Sequence, residues 1–276
     1  MAIAQLRRLF AAVRGKPSNR RWSHDSQNCG LLDDAHSGWC CEETGELVPG
    51  FPITQSDTVV DVGCGDGGAS TFAGDAGASV ISVDIDPAQI AIVKNRMRNS
   101  KASAFEAHVS DSNPLPIPDK TASKVVCLEV LEHVDDPAQV MSELVRVGQP
   151  GSQYLVSVPD PASEAVQKEI APACYWQKPN HLCIFQREEF GEFVTTAGLC
   201  IEERIYSSFY WAMYWTLFWA AEQELGETDS PILKHWARTW RALISSRSGA
   251  HIKRALDNSM PQKQVILARK PKAVGK

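Results

Sequence analysis

Short apolar runs alternate with polar, turn-rich segments along residues 59–158 of this 276-residue chain. The runs cover 59–62, 80–83, 125–131 and 154–158, and a further run ends near His108. Each run is continuous and rich in Val and Ile, which is typical of parallel strands buried on both faces. A helical stretch with Val140, Leu144 and Val145 precedes the last run. The pattern therefore predicts a buried parallel sheet that binds its ligand at the carboxyl ends of the strands.

The second half of the chain predicts further elements. A helix is expected over 187–197 with Gly198 as its stop, then a sixth strand over 199–205 and a seventh near 264–268. Residues 160–185 are expected to form a loop. Near the start, an apolar stripe flanked by arginines predicts an amphipathic helix over 2–13, either a cap on the domain or a membrane-surface helix.

An aromatic segment separates the last two predicted strands. Residues 205–221 are seventeen consecutive residues without a charge, between Arg204 and Glu222. As a helix the run is apolar on every side, so it must be buried or lie in an apolar phase. A bilayer span needs about 20 residues, and a span would separate the seventh strand from its sheet. Two interpretations stay open: a lid helix or dimer seam, and a helix docked on a membrane surface.

A glycine-rich turn comes directly after the first apolar run. Glycines occupy positions 63, 65, 67 and 68, and Asp84 ends the next run. Such glycines let the backbone approach a ligand closely, and an acidic residue at the second strand tip can accept both hydroxyls of a ribose. Asp61 and Asp66 flank the turn and would repel a pyrophosphate, but they suit a ligand with an ammonium and a sulfonium. The turn therefore favours S-adenosylmethionine over NAD.

Three more motifs extend this pattern: D-x-x-x-L-P over 111–116, L-E-H over 131–133 and Gln-Pro-Gly over 149–151. With the glycine turn and Asp84, the ordered set resembles the class I S-adenosylmethionine-dependent methyltransferases. The resemblance is strongest to their small-molecule (type 11-like) branch, which includes quinone-biosynthesis enzymes. It covers 55–205 and a last strand near 263–269. Lys124 departs from it, because the family usually has Asp just before the fourth strand.

The resemblance implies an α/β fold with a doubly wound, seven-stranded, mostly parallel sheet. In simple members of the family strand six turns directly into strand seven, and this chain adds a helical insertion between them. The resemblance also implies an N-terminal helical cap segment (1–54), a cofactor-binding catalytic domain (55–205 with 262–270) and the aromatic insertion (206–261). By this resemblance Asp84 binds the ribose of the cofactor, Asp111 binds the adenine amine, and Asp61 lies near the methionine ammonium. The implied cofactor-binding residues are Asp61, Gly63, Cys64, Gly65, Asp84, Ile85, Asp111, Ser112 and Glu129.

Two histidines are candidates for the catalytic base. His133 comes after the fourth strand at the edge where such sheets bind ligands, and His181 lies in the 160–185 segment beside Trp176 and Phe185. Histidine titrates near neutral pH, so either ring can take a proton from a hydroxyl acceptor. The L-E-H motif recurs in the family with many acceptors, which also fits a structural hydrogen-bonding role for His133. The sequence predicts no metal site, because the adjacent Cys40 and Cys41 cannot form a C-x-x-C knuckle.

The residues at the end of the fourth strand give the main constraint on the methyl acceptor. Amide and nucleobase methyltransferases commonly carry Asn/Asp-Pro-Pro-aromatic there, whereas this chain has Leu-Glu-Val-Leu at 128–131. We therefore expect O-methylation of a glycan, lipid-linked or other small-molecule hydroxyl. The alternatives are a quinone or secondary-metabolite C- or O-methyltransferase with a soluble substrate, and a non-catalytic methyltransferase-like binding module.

Charge and cysteine content limit the partners. The net charge of −5 combines +6 over 1–22, −21 over 23–230 and +10 over 231–276. The acidic body argues against a nucleic-acid partner, and the basic ends favour an anionic surface or ligand. Eight irregularly spaced cysteines and no apparent signal peptide indicate a cytoplasmic protein with reduced thiols. Peripheral contact with the cytoplasmic membrane face stays open.

Overall fold

A seven-stranded sheet forms the centre of this computed structural model, which describes residues 26–178, 180–223 and 230–272. Its strands run in the order β5-β4-β3-β6-β7-β9-β8. Pairs from β5 to β7 are parallel, while β9 is antiparallel to both β7 and β8. The predicted mostly parallel sheet is therefore confirmed. The strands are β3 (Thr58–Val62), β4 (Ser79–Asp84), β5 (Ala104–Val109), β6 (Ala122–Leu128), β7 (Gly148–Pro159), β8 (Cys200–Ser207) and β9 (Lys263–Arg269).

Helices cover both faces of this sheet, and its central strands bury side chains on two sides. Val60 and Val62 join one core cluster, while Val59 joins another on the opposite face. Two short strands, β1 (Glu46–Val48) and β2 (Phe51–Pro52), form a separate antiparallel hairpin. The helices are α1 (Ser26–His36), α2 (Gly68–Asp75), α3 (Pro87–Met97), α4 (Pro137–Val147), α5 (Pro161–Ile170), α6 (Arg187–Thr196), α7 (Phe209–Ala220), α8 (Pro231–Ile244) and α9 (Gly249–Ser259).

Three of these helices begin with an Asp-Pro pair. Asp86, Asp136 and Asp160 are the N-caps of α3, α4 and α5, and each side chain accepts a hydrogen bond from a first-turn backbone amide. Proline is favoured just inside a helix start because its missing N–H is not needed there. The expectation of a loop over 160–185 was wrong, since α5 and a 3-10 turn (Ala173–Trp176) occupy much of it.

Lys124 lies within β6, not before it, and is almost completely buried. Its Nζ donates to Gln153 Oε1 at 2.6 Å and lies 4.9 Å from the centre of the Phe51 ring. Burial lowers the pKa of this ammonium group. Lys124 therefore fastens β6 to β7 and to the hairpin, which is a structural role.

The aromatic segment is divided between two elements. Strand β8 continues to Ser207, and α7 begins at Phe209 after Ser208, whose φ is +73°. Trp211, Trp215 and Trp219 are 6 %, 1 % and 5 % exposed, packed with α8 and residues of α1. These three tryptophans are buried inside the protein and cannot contact a lipid surface in this conformation. No helix among the described residues is long and apolar enough to cross a membrane, and the helix predicted over 2–13 lies outside those residues.

A buried ionic network fastens α1 to the helices of the insertion. Lys253 Nζ lies 2.8 Å from Asp33 Oδ1 and 2.9 Å from Asp257 Oδ2. Trp240 Nε1 also donates to Asp33 Oδ1 at 2.8 Å. Complete burial raises the pKa of the Asp33 carboxyl to about 7, although Lys253 opposes the shift. The ammonium group of Lys253 thus forms ion pairs with two buried carboxylates.

This network predicts an unusual dependence of stability on pH. Since the pKa of Asp33 is raised above its ordinary value of 3.8, the native state keeps a proton between about pH 4 and 7 that the unfolded chain has lost. Its contribution to stability therefore falls as pH rises through this interval, by at most about 1.4 kcal/mol per pH unit. Asp33→Asn removes this titration. Urea unfolding of both proteins at several pH values should give free energies that diverge over the interval, and parallel curves would contradict the prediction.

Candidate functional site

The glycine turn after β3 is closely packed at Gly63 and open at Gly65. Gly63 and Gly65 have φ values of +69° and +54°, a backbone region that favours glycine. A Cβ on Gly63 would lie 2.2 Å from Val130 Cγ2, so the turn packs directly against the segment after β6. A Cβ on Gly65 would meet no described atom within 4 Å. The backbone at Gly65 therefore faces open space, as a cradle for a ligand requires.

Asp84 stands at the tip of β4 beside this turn. It is 1 % exposed, its Oδ2 accepts from the Gly65 amide at 2.8 Å, and its Oδ1 accepts from the Asp86 amide at 2.9 Å. A carboxylate can accept several hydrogen bonds at once, so a residue of this type at the strand tip is suited to accept from ribose hydroxyls. Ile85 comes next with 53 % of its surface exposed and offers an apolar face for a flat base.

The predicted adenine contacts lie at the neighbouring strand. Asp111 is exposed two residues after β5, and its Oδ1 accepts from the Asn113 amide at 3.1 Å. Ser112 is buried with φ +69°. Because β5 pairs with β4 in parallel, both residues lie at the same edge of the sheet as Asp84.

Asp61 has a structural role that the sequence did not reveal. Its buried Oδ2 accepts from the amide of Ser70 at 3.1 Å and from the Ser70 hydroxyl at 2.6 Å. Asp66 is also buried and pairs with Arg96 Nη2 at 2.6 Å. Asp61 therefore holds the first turn of α2, and Asp66 binds the last turn of α3. The placement of Asp61 beside the methionine ammonium stays a prediction.

The remaining predicted residues border the turn. Cys64 is buried, with its thiol 3.7 Å from the Gly65 carbonyl. Glu129 has φ +55°, and its Oε1 accepts from the Ser157 hydroxyl at 2.6 Å. Together with the open cradle at Gly65 and the acceptor capacity of Asp84, these residues fit S-adenosylmethionine.

A buried group of acids and histidines lies behind this edge. We call Glu132, His133, Glu164 and His181 the Glu–His cluster. His181 Nδ1 lies 2.5 Å from Glu164 Oε1, and His133 Nε2 lies 3.4 Å from Glu132 Oε1. The two imidazole rings meet edge to face, with centroids 4.9 Å apart. The structure thus brings both candidate bases together, each beside a buried carboxylate.

Three segments supply this cluster. Glu132 and His133 belong to the 3-10 turn after β6, Glu164 to the first turn of α5, and His181 to the chain before α6. The Leu182 amide donates to the Glu132 carbonyl at 2.7 Å, which joins the segment of His181 to the turn of His133. The cluster is therefore fixed by backbone hydrogen bonding as well as by its side chains.

The cluster creates a negative local potential. Burial raises the pKa of Tyr175 well above 10, and the carboxylates of Glu164, Glu132 and Glu129 raise it further. Burial and the first two of these carboxylates raise the pKa of the Cys183 thiol to about 11. Tyr175 and Cys183 thus keep their protons at neutral pH.

Glu164 and Tyr175 were missed in the sequence. Glu164 is fully buried, and the Tyr175 hydroxyl lies 3.5 Å from His181 Nε2. The Asp160-Pro161 pair is a helix start signal, and using it would have placed Glu164 in the first turn of a helix. Nothing local in the sequence indicates that Tyr175 reaches His181.

Part of this chain is similar to a known protein family. Residues 60–156 match the family described as "Methyltransferase domain". A probable S-adenosylmethionine-dependent methyltransferase of Mycolicibacterium smegmatis is 31 % identical over 147 residues, which cover 53 % of this chain and 53 % of that protein. A ubiquinone biosynthesis O-methyltransferase of Pseudomonas aeruginosa is 33 % identical over 143 residues, 51 % of this chain and 58 % of that protein.

The match therefore spans about half the length of these curated relatives. Among solved structures, the [4+2]-cyclase SpnF superposes with a TM-score of 0.58 and 20 % identity, covering 98 % of this chain and 94 % of that one. At that identity the likeness establishes the fold alone.

The role of Asp84 predicts a loss of cofactor affinity on substitution. Asp84→Ala removes two charge-assisted hydrogen bonds to the ribose, together worth about 2–4 kcal/mol, or about 30- to 900-fold in Kd. Calorimetry with S-adenosylhomocysteine measures this. Asp86→Ala, the same change two residues on, should keep the wild-type Kd within threefold. An Asp84→Ala Kd within threefold of wild type would show that the site is misplaced.

Gly65 tests the cradle independently of hydrogen bonding. Since a Cβ there meets no described protein atom, Gly65→Ala should lower folding stability only by the strain of its positive φ, about 1 kcal/mol. The same methyl group would occupy the space of the ligand, so we expect the Kd of S-adenosylhomocysteine to rise at least tenfold. Thermal unfolding and calorimetry on one sample separate the two effects, and unchanged affinity would rule out the cradle.

Proposed function

We propose that this chain is a class I methyltransferase that uses S-adenosylmethionine, supported by the methyltransferase-domain match over residues 60–156, and that it methylates a hydroxyl group of a small-molecule acceptor. The observation that carries this proposal is the buried pair of His181 and Glu164 at 2.5 Å. A hydroxyl must lose its proton when it is methylated, and an imidazole held by a carboxylate is suited to accept one.

Bound S-adenosylmethionine supplies a methyl group on a sulfonium, which is already activated for in-line displacement. Gly65 and Asp84 hold the nucleoside in this proposal, and Ile85 covers the adenine. The turn that positions them touches Val130 through Gly63, three residues before His133. The cofactor cradle and the Glu–His cluster are thus parts of one connected edge. Fixing two reactants against each other contributes about 7–11 kcal/mol in favourable model systems.

His181 acts as the base through Nε2. Glu164 Oε1 accepts the Nδ1 proton, and this hydrogen bond fixes the tautomer that leaves Nε2 as an acceptor. Tyr175 lies 3.5 Å from Nε2 but keeps its proton because its pKa is raised well above 10. Tyr175 therefore donates or orients, and it does not compete as a base.

His133 remains the second candidate for the same step. Its Nε2 lies 3.4 Å from Glu132 Oε1, a looser contact than that of His181 with Glu164. The shorter carboxylate contact favours His181, and His133 then holds the turn and borders the acceptor.

The acceptor class is inferred from the side chains around His181. Trp176 lies 6.1 Å from the His181 ring, and Tyr175 lies 5.0 Å from both Trp176 and Trp219. Tyr175 and Trp219 are buried, whereas Trp176 is partly exposed, and its face can pack against the ring of an acceptor. We therefore infer an acceptor hydroxyl on an aromatic or sugar ring. A glycan or lipid-linked hydroxyl stays within this class. A quinone-pathway acceptor is the second candidate, supported by the 33 % identity to the Pseudomonas aeruginosa enzyme over half of this chain.

Membrane contact has less support than the sequence suggested. The three tryptophans of α7 are buried, and the basic segment 1–22 lies outside the described residues. We therefore propose an acceptor taken from solution. The non-catalytic alternative is disfavoured because the cradle and the Glu–His cluster are both complete, and it requires that S-adenosylhomocysteine does not bind at about 100 μM.

The assignment of the base predicts the kinetics of His181→Ala. Removing a positioned base lowers turnover by about 10²- to 10⁴-fold, while the Kd of S-adenosylhomocysteine should stay within threefold. Labelled cofactor and a cell extract that contains the acceptor provide the assay, with product detected by its gain of one methyl group. Glu164→Gln should cause a smaller loss, because the ring stays in place but its tautomer is no longer enforced.

The matched control is His108→Ala, which removes a half-buried histidine of β5 whose Nε2 lies 3.2 Å from Glu106 Oε2. This variant should keep wild-type turnover. Should His181→Ala also keep it while His133→Ala does not, the base is His133. If all three variants turn over at the wild-type rate, catalysis works by positioning alone.

A further inference from the structure

The ligating atoms of Glu132, His133 and His181 lie within 4.8 Å of one another. Nitrogen and oxygen ligands bind Zn²⁺ at about 2.0–2.2 Å, so tetrahedral neighbours are about 3.4 Å apart. The distance from His133 Nε2 to Glu132 Oε1 is 3.4 Å. The rings and carboxylate therefore need only small side-chain rotations to converge on one point.

The charge of the cluster suits a doubly charged ion. Glu132 and Glu164 are 1 % and 0 % exposed, and ionised carboxylates are strongly penalised in such surroundings unless a cation balances them. Two carboxylates, two neutral imidazoles and one divalent cation sum to zero.

The surroundings of His181 match those of a metal ligand. Glu164 Oε1 holds Nδ1 at 2.5 Å, which leaves Nε2 for coordination. A metal-bound histidine usually donates its other N–H to a carboxylate or carbonyl, which orients the ring and raises its basicity. The hydrogen bond from the Leu182 amide to the Glu132 carbonyl, at 2.7 Å, fixes the two ligand-bearing segments against each other.

We propose that Glu132, His133 and His181 bind one divalent transition-metal ion, with Glu164 positioning His181 from the second coordination sphere. Two imidazoles and one carboxylate suit Zn²⁺, Co²⁺ or Mn²⁺ better than Mg²⁺ or Ca²⁺, which prefer oxygen ligands. The His133 side chain is 16 % exposed, so the ion can enter from that side and keep a coordination position open. The sequence analysis predicted no metal site.

The ion gives the cluster a Lewis-acid role, and this role rests on the proposed function, whereas ion binding does not. When Nε2 is bound to the ion, His181 does not itself take the proton as it does without metal. The ion instead lowers the pKa of the acceptor hydroxyl, whose proton passes to solvent. The acceptor oxygen then forms the new bond to the methyl carbon as the carbon–sulfur bond breaks. The cofactor leaves as the neutral thioether.

Co²⁺ is the probe for this site, because its visible absorption reports coordination without any assay of activity. Tag-free protein is treated with chelator, dialysed and titrated with Co²⁺ alone, with Zn²⁺ competition measured by calorimetry. We expect visible bands that saturate at one equivalent and disappear when Zn²⁺ is added. Less than one tenth of an equivalent bound at micromolar Co²⁺ would overturn the proposal.

Variants locate the ion. His181→Ala and the nearly isosteric Glu132→Gln should each lower Co²⁺ affinity by at least a hundredfold, and Glu164→Gln by about 10- to 100-fold with unchanged stoichiometry. Far-ultraviolet circular dichroism and thermal unfolding check that each variant is folded. His108→Ala and Cys41→Ser are the controls for surface histidine and thiol binding. If either control loses the bands as fully as His181→Ala, the ion is bound elsewhere and the proposal is wrong.

The same samples separate this proposal from the proposed function. The Kd of S-adenosylhomocysteine is measured with and without Co²⁺, and turnover is measured with and without chelator. A failure of Co²⁺ to bind, with cofactor binding and turnover intact, removes the metal site and leaves His181 as a simple base. Metal binding at one equivalent without cofactor binding removes the methyltransferase function and leaves the metal site.

Discussion

The close contact between Gly63 and Val130 sets the geometry on which the site depends. A side chain on Gly63 would place its Cβ 2.2 Å from Val130 Cγ2, so only glycine lets the turn after β3 meet the segment after β6. Asp84 then reaches the Gly65 amide from the neighbouring strand at 2.8 Å. On the other side, the 3-10 turn that begins next to Val130 carries Glu132 and His133. One van der Waals contact thus links the cofactor cradle to the Glu–His cluster.

In the Glu–His cluster, a buried carboxylate sets the tautomer of a histidine. Glu164 is held inside the protein by α5, whose start is fixed by the Asp160 cap and by the ion pair of Asp160 with Arg187 at 2.7 Å. A buried carboxylate at 2.5 Å decides which nitrogen of His181 carries the proton. Whether a proton or a metal ion is then bound at Nε2, the second nitrogen is already directed into the cluster. The aromatic side chains of Tyr175 and Trp219 keep water away from it.

Much of the fold and of the cofactor edge could be predicted from the sequence, because both depend on local patterns. Continuous Val and Ile runs give the strands, and glycine spacing with Asp84 gives the cradle. The Glu–His cluster could not be assembled this way, since Glu132, Glu164 and His181 come from three segments and meet only through tertiary packing. The Asp160-Pro161 pair does indicate the start of α5 and hence a helical position for Glu164. Charge alone did not indicate that Asp61 and Asp66 also bind Ser70 and Arg96 within the protein.

The strand order has a consequence for how this chain is made. Strand β9 lies between β7 and β8, although residues 208–262 separate it from β8 in the sequence. During synthesis, β7 is complete while the strand that covers its free edge has not yet been translated. An unpaired edge of a hydrophobic strand is a template for association with other chains. The aromatic helices α7–α9 emerge in the same interval. The edge of β7 therefore stays open to other chains until β9 has also emerged from the ribosome.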